Sequence, residues 1–122
     1  MLPFFRSRVR LYIYLPLEYN PDPEHPERPR VEISDEAHTA TITEIEQYLG
    51  ERFEGLNYEF VVKKRPAYGL WQGIEDKLMI LHLDVTFSRK DFQWLQRVKD
   101  TTWKIRYQQF KMYAIYHRIF EL

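Results

Sequence analysis

The final stretch, Lys111-Met-Tyr-Ala-Ile-Tyr-His-Arg-Ile-Phe-Glu-Leu122, is a strand-like run that directly follows a long helical pattern, and it echoes Val9-Arg-Leu-Tyr-Ile-Tyr-Leu15 near the other end. A strand in that place is expected to pair centrally or beside the first strand instead of fraying. This limits the chain to a sheet layer with helices against it.

The rest of the pattern fills in that frame. Residues 8–15 alternate Val9, Leu11, Ile13 and Leu15 with Arg10, Tyr12 and Tyr14, the period of a strand with one aliphatic and one polar-aromatic face. Pro16 is expected to end it. Residues 17–33 hold Pro21, Pro23, Pro26 and Pro29 among charged residues, which excludes helix and central strand. The sequence reading of this Pro-rich loop favours a disordered, merely tolerated segment over a lid. Ser34 with Asp35 and Glu36 reads as a helix start, and Ile42, Ile45, Leu49 and Phe53 supply its apolar stripe, with Gly50 and Gly55 marking its end.

A second strand is expected over 57–63, broken by Arg65-Pro66, and a short extra strand or flap over 67–73. Lys77 to Val85 alternates Met79, Leu81, Leu83 and Val85 with Leu78, Ile80, His82 and Asp84, apolar enough on both faces to be central. Ser88 and Asp91 have capping-box spacing and open a second helix whose stripe is Phe92, Leu95, Val98, Thr102 and Ile105, with Trp103 and Tyr107 on an adjoining strip. Lys90, Arg97 and Lys104 read as its solvated face. The final strand begins at about Lys111. This order, βαββαβ, predicts a single α+β domain over 1–122: a ferredoxin-like two-layer sandwich, its antiparallel sheet carrying two helices on one face.

Composition removes several function classes. With no cysteine, disulfides, thiolate metal sites and cysteine nucleophiles are excluded. No run reaches the ~18 apolar residues of a membrane span, and the first residues lack the layout of a secretory signal, so a cytoplasmic protein without membrane contact is expected. No phosphate loop, dinucleotide glycine pattern or catalytic elbow is present, and no cofactor or metal is expected. Hydrophobic residues make up 44% of the chain, which supports a folded core.

Function turns on the uncovered sheet face. If the aliphatic sides of the first and third strands point at the helices, Arg10, Tyr12, Tyr14, Leu78, Ile80, His82 and Asp84 share the other face. The last strand adds either Tyr113, Ile115, His117 and Ile119 or Met112, Ala114, Tyr116, Arg118 and Phe120, and the sequence leaves both registers open. A face this rich in large apolar groups calls for a cover. One cover is a second copy of the chain, giving a homo-oligomer; another is a small apolar or aromatic ligand, with Tyr12, Tyr14, His82 and His117, and Tyr68 and Trp71 beyond them, as ligand-binding or interface residues. The alternative is a small enzyme in which His82, beside Asp84 and Tyr12, acts as a general base. Nucleic acid is disfavoured, because the net charge is zero and the basic residues are expected mainly on the second helix, behind the sheet.

At Phe53-Glu-Gly-Leu-Asn57, Tyr68-Gly-Leu-Trp71 and Gln108-Gln-Phe110, the chain resembles a group of small uncharacterised bacterial and archaeal ferredoxin-like proteins, including domains of unknown function. That group tends to show Phe-Gly-Gly-x-Thr, Gly-x-Trp and Gln-Glu at these places. Glu54, Asn57 and Gln109 depart from the pattern. The resemblance spans 8–122 and implies the fold, with no activity attached.

Overall fold

The alternating runs pair as antiparallel strands in a computed structural model, which describes residues 7–65 and 74–119. β1 (Ser7–Pro16) lies between β3 (Ile74–Phe87) and β4 (Tyr113–Arg118), and β2 (Phe53–Arg65) flanks β3, giving the order β2-β3-β1-β4. Helices α1 (Asp35–Leu49) and α2 (Arg89–Val98) complete a βαββαβ order that fits a ferredoxin-like fold, with β1 and β3 in the middle as expected.

Register fixes the two faces. Val9 pairs with Val85, Leu11 with Leu83, Ile13 with Leu81 and Leu15 with Met79. All of these join Ile45 and Leu49 of α1 and Leu95 of α2 in one buried cluster, so both helices cover the same face. Each such aliphatic side chain contributes roughly 1.5–3 kcal/mol relative to exposure. Ile74 and Ile80 are also buried but lie outside that cluster, in keeping with their place on the opposite face.

The helices differ from expectation in phase. In α1 the buried residues are His38, Thr41, Ile45 and Leu49, with Ile42 only half-buried. His38 is 8% exposed, donates from Nε2 to the Pro16 carbonyl at 2.9 Å and stacks on Tyr107. Gly50 ends the helix at φ 57°, ψ −126°, a conformation that disfavours any side chain.

After α2 the chain runs through a π turn (Lys99–Trp103) into a short helical turn (Lys104–Arg106). A π turn inserts one residue, so the inner stripe moves from the expected Thr102 and Ile105 to Trp103 and Tyr107, both fully buried, while Ile105 is 77% exposed. Trp103 Nε1 donates to Glu44 at 3.0 Å, and Arg106 pairs with the same carboxylate, locking the end of this helix to α1.

A second tie joins the helix ends. Asp91 accepts from the Ser88 backbone at 2.8 Å, from Tyr48 at 2.8 Å and from Arg52 at 2.8 Å. Burial alone would raise this carboxyl, but the Ser88 amide, Arg52 and Tyr48 outweigh it and leave its pKa lowered.

β2 begins four residues earlier than the expected 57, because a bulge between Glu54 and Asn57 interrupts its alternation. Gly55 supplies the φ of 48° that the bulge needs.

The Pro-rich loop corrects a further expectation, since it is an ordered strap. Tyr19 N donates to Val31 O at 2.9 Å, and Ile33 N donates to Leu17 O at 2.8 Å. Arg30 then ties the strap to the Tyr19 carbonyl at 2.8 Å and, across to β3, to the Glu75 carbonyl at 2.7 Å and Asp76 at 2.9 Å. Four prolines leave the chain few conformations to lose on ordering, and the largely covered Arg30 guanidinium ties the strap to β3.

Candidate functional site

Pairing of β4 decides what the open face contains. Tyr14 lies opposite Tyr113, Tyr12 opposite Ile115 and Arg10 opposite His117. Opposed residues point to the same side, so Tyr113, Ile115 and His117 join the open face, and Met112 and Ala114 turn to the core. Of the two registers left open by the sequence, the first is adopted. Tyr12 therefore sits between two histidines, with ring centroids 6.0 Å from His82 and 5.7 Å from His117.

Asp84 does not complete a histidine–carboxylate pair there. Arg10 holds it through Nε at 2.7 Å and Nη2 at 3.1 Å, and this guanidinium keeps the carboxyl below its usual range. Both of its oxygens accept from Arg10, and among the described residues His82 makes no hydrogen bond to a carboxylate that would orient it as a general base. Among the described residues, no group of three His, Asp or Glu side chains converges to hold a metal ion. Tyr68, Trp71 and the expected flap over 67–73 lie outside the described residues.

A larger feature lies at one end of the face. A cavity of about 610 Å³ is bounded by Tyr14, Leu78, Tyr113 and Ile115 from the sheet, by Asn20 and Arg30 from the strap, and by Gln109, Phe110 and Lys111 from the connection into β4. Its charge is one-sided. Arg30, Lys63, Lys64, Arg65, Lys77 and Lys111 line it against Asp76 as the lining carboxylate among the described residues.

No family model, curated protein or solved structure matches this chain. The chemistry of the site has to come from its own residues.

Not all of those cations are free to act. Arg30 and Arg65 both bind Asp76, at 2.9 and 2.5 Å, while Lys77 approaches Glu18 at 3.9 Å and Lys64 approaches Glu75 at 3.8 Å. Lys63 and Lys111 differ. Lys63 Nζ lies 5.1 Å from the centre of the Tyr14 ring and Lys111 Nζ 5.4 Å from that of Tyr113, and neither pairs with a carboxylate among the described residues. Each ammonium thus rests on an aromatic face at the rim of the cavity.

These lysines were missed by the sequence reading, which placed the basic residues behind the sheet. Strand parity carried a signal for one of them: Lys63 opposes Asp76, two pairs beyond Val61 and Leu78, and so shares their open face. Lys111 had no such signal, because its position depends on how the chain turns out of the helix at Gln108, which has φ 52°.

Proposed function

We propose that the chain is a ferredoxin-like domain whose open face binds a small anionic molecule with an aromatic or apolar body. The observation that carries this reading is the pair of ammonium groups, Lys63 and Lys111, that meet no carboxylate among the described residues and are held over Tyr14 and Tyr113 at the rim of a cavity of about 610 Å³. Volumes of this order suit small molecules, and such sites combine an apolar lining with a few placed polar groups. An anion gains from Lys111 and Lys63, and its body covers Tyr14, Leu78 and Ile115. Ile115 is 45% exposed and Tyr113 57%, apolar area that the ligand removes from water.

Other occupants of the face fit less well. Acid–base chemistry at Tyr12, His82 and Asp84 lacks a free carboxylate, since Arg10 takes both oxygens of Asp84. A polynucleotide running along the sheet would meet Glu54 and Glu59, which share the open face with Asp84 and Ile80.

Calorimetric titration with phenyl phosphate, benzoate and toluene tests the proposal. The two anions are expected to bind, more weakly as salt is raised, and Lys111→Ala should lower their affinity about tenfold, the loss of one charge-assisted contact. Toluene binding as tightly as benzoate, or no anion binding at millimolar concentration, would sink the idea.

A further inference from the structure

We propose that two copies of the chain join through the outer edge of β2, antiparallel and with Val61 opposite its counterpart, so that their sheets run on as one. Among the described strands, β2 pairs with β3 alone, so its other edge offers unpaired backbone groups over a long strand. On the helix side of this edge Tyr58, Phe60 and Val62 are 59%, 63% and 58% exposed, an apolar ridge that no helix covers.

The occupant is specified by the charge order of the strand. Glu59 precedes Val61 by two residues and Lys63 follows it by two, and both are exposed. With Val61 on the two-fold axis, each Glu59 faces the Lys63 of the other copy, Phe60 faces Val62, and Asn57 faces Arg65. Moving the axis to Phe60 sets Glu59 against Val61. Moving it to Val62 sets Phe60 against Lys64 and Val61 against Lys63. The Val62 register does set Glu59 against Arg65, but it leaves both Phe60 and Val61 on lysines. The Val61 register pairs Glu59 with Lys63 and Phe60 with Val62 and has one mismatch, Tyr58 against Lys64, and cross-strand pairs of these kinds are what fix register in sheets. Turning to Glu59 of the second copy takes Lys63 off the Tyr14 ring, so that in the dimer Lys111 is the cavity-rim ammonium left without a carboxylate among the described residues. Lysines on an edge ordinarily ward off other strands, but here a glutamate at the mirrored position makes the strand selective for itself.

Sedimentation velocity without added ligand tests the pairing. Wild type is expected to be a dimer, and Glu59→Lys or Lys63→Glu alone, which sets like charges opposite each other twice per interface, should weaken association roughly tenfold to a hundredfold. The double variant Glu59→Lys/Lys63→Glu should regain the dimer, and mixing the two single variants should yield a heterodimer. A wild type that stays monomeric at its highest soluble concentration, or a dimer indifferent to both single substitutions, overturns the proposal. Phenyl phosphate binding is read separately, so a monomer that still binds it overturns the dimer alone.

Discussion

Tyr107 shows how one side chain joins the two helices. Its hydroxyl lies 2.6 Å from that of Thr41 and donates to the Ala37 carbonyl at 3.2 Å, while its ring stacks on His38. Burial pushes the phenol up to about 12. Because the folded value lies above the ordinary ~10, the neutral hydroxyl stabilises the fold fully below that pH, and its contribution is lost as pH rises through 12. Tyr107→Phe should therefore lose the steep part of the alkaline stability profile, a difference from wild type of about 2 kcal/mol between pH 10 and 12 in urea titrations. Little of this network could be read from sequence. His38 and Thr41 are polar residues in a helix that offered Ile42 as the apparent inner position, and only the partners waiting at Pro16 and Tyr107 make their burial affordable.

At the level of elements, the π turn explains a miss that propensity could not have prevented. Phe92, Leu95 and Val98 keep α-helical spacing and were legible; beyond Lys99 the extra residue moves the inward positions on, from Thr102 and Ile105 to Trp103 and Tyr107. Removing the exposed Thr101 should let Lys99–Trp103 close into regular α-helix while Trp103 and Tyr107 stay on the inner stripe. That deletion is expected to cost under about 1 kcal/mol, because no large side chain leaves the core. Deletion of Gln47 from α1, where no extra residue is available, turns Leu49 out of the core and should cost about 3 kcal/mol or more. Thermal unfolding of the two deletions, followed by circular dichroism, checks the contrast; equal losses would argue against it. The strands were more legible than the helices, since a period of two survives any register in which one face is buried. β2 is the exception, and its early start was hidden by the bulge at Gly55.

Across the whole molecule, the order of elements and the central place of β1 and β3 followed from patterning, whereas the cavity did not. It draws on the strap, the sheet end and the turn before β4, segments that meet only once the sheet is assembled. Arg30 joins the first two of these, with a side chain 12% exposed. Arg30→Ala is expected to cost about 2 kcal/mol, the range for hydrogen bonds to a charged group. It should also speed amide exchange at Tyr19 and Ile33 and weaken benzoate binding together with it; unchanged exchange at those amides would separate the strap from this role.

The way the strap is closed has a practical consequence. Its ladder of Tyr19 with Val31 and Leu17 with Ile33 seals the base, and the span from Asp22 to Arg28 beyond it bonds mainly within itself, through turns at Asp22 and His25. That tip is a handle insulated from the domain. A protease site, a fluorophore or an inserted peptide placed at the exposed Pro23 or Glu24 should leave the sheet unaware of it.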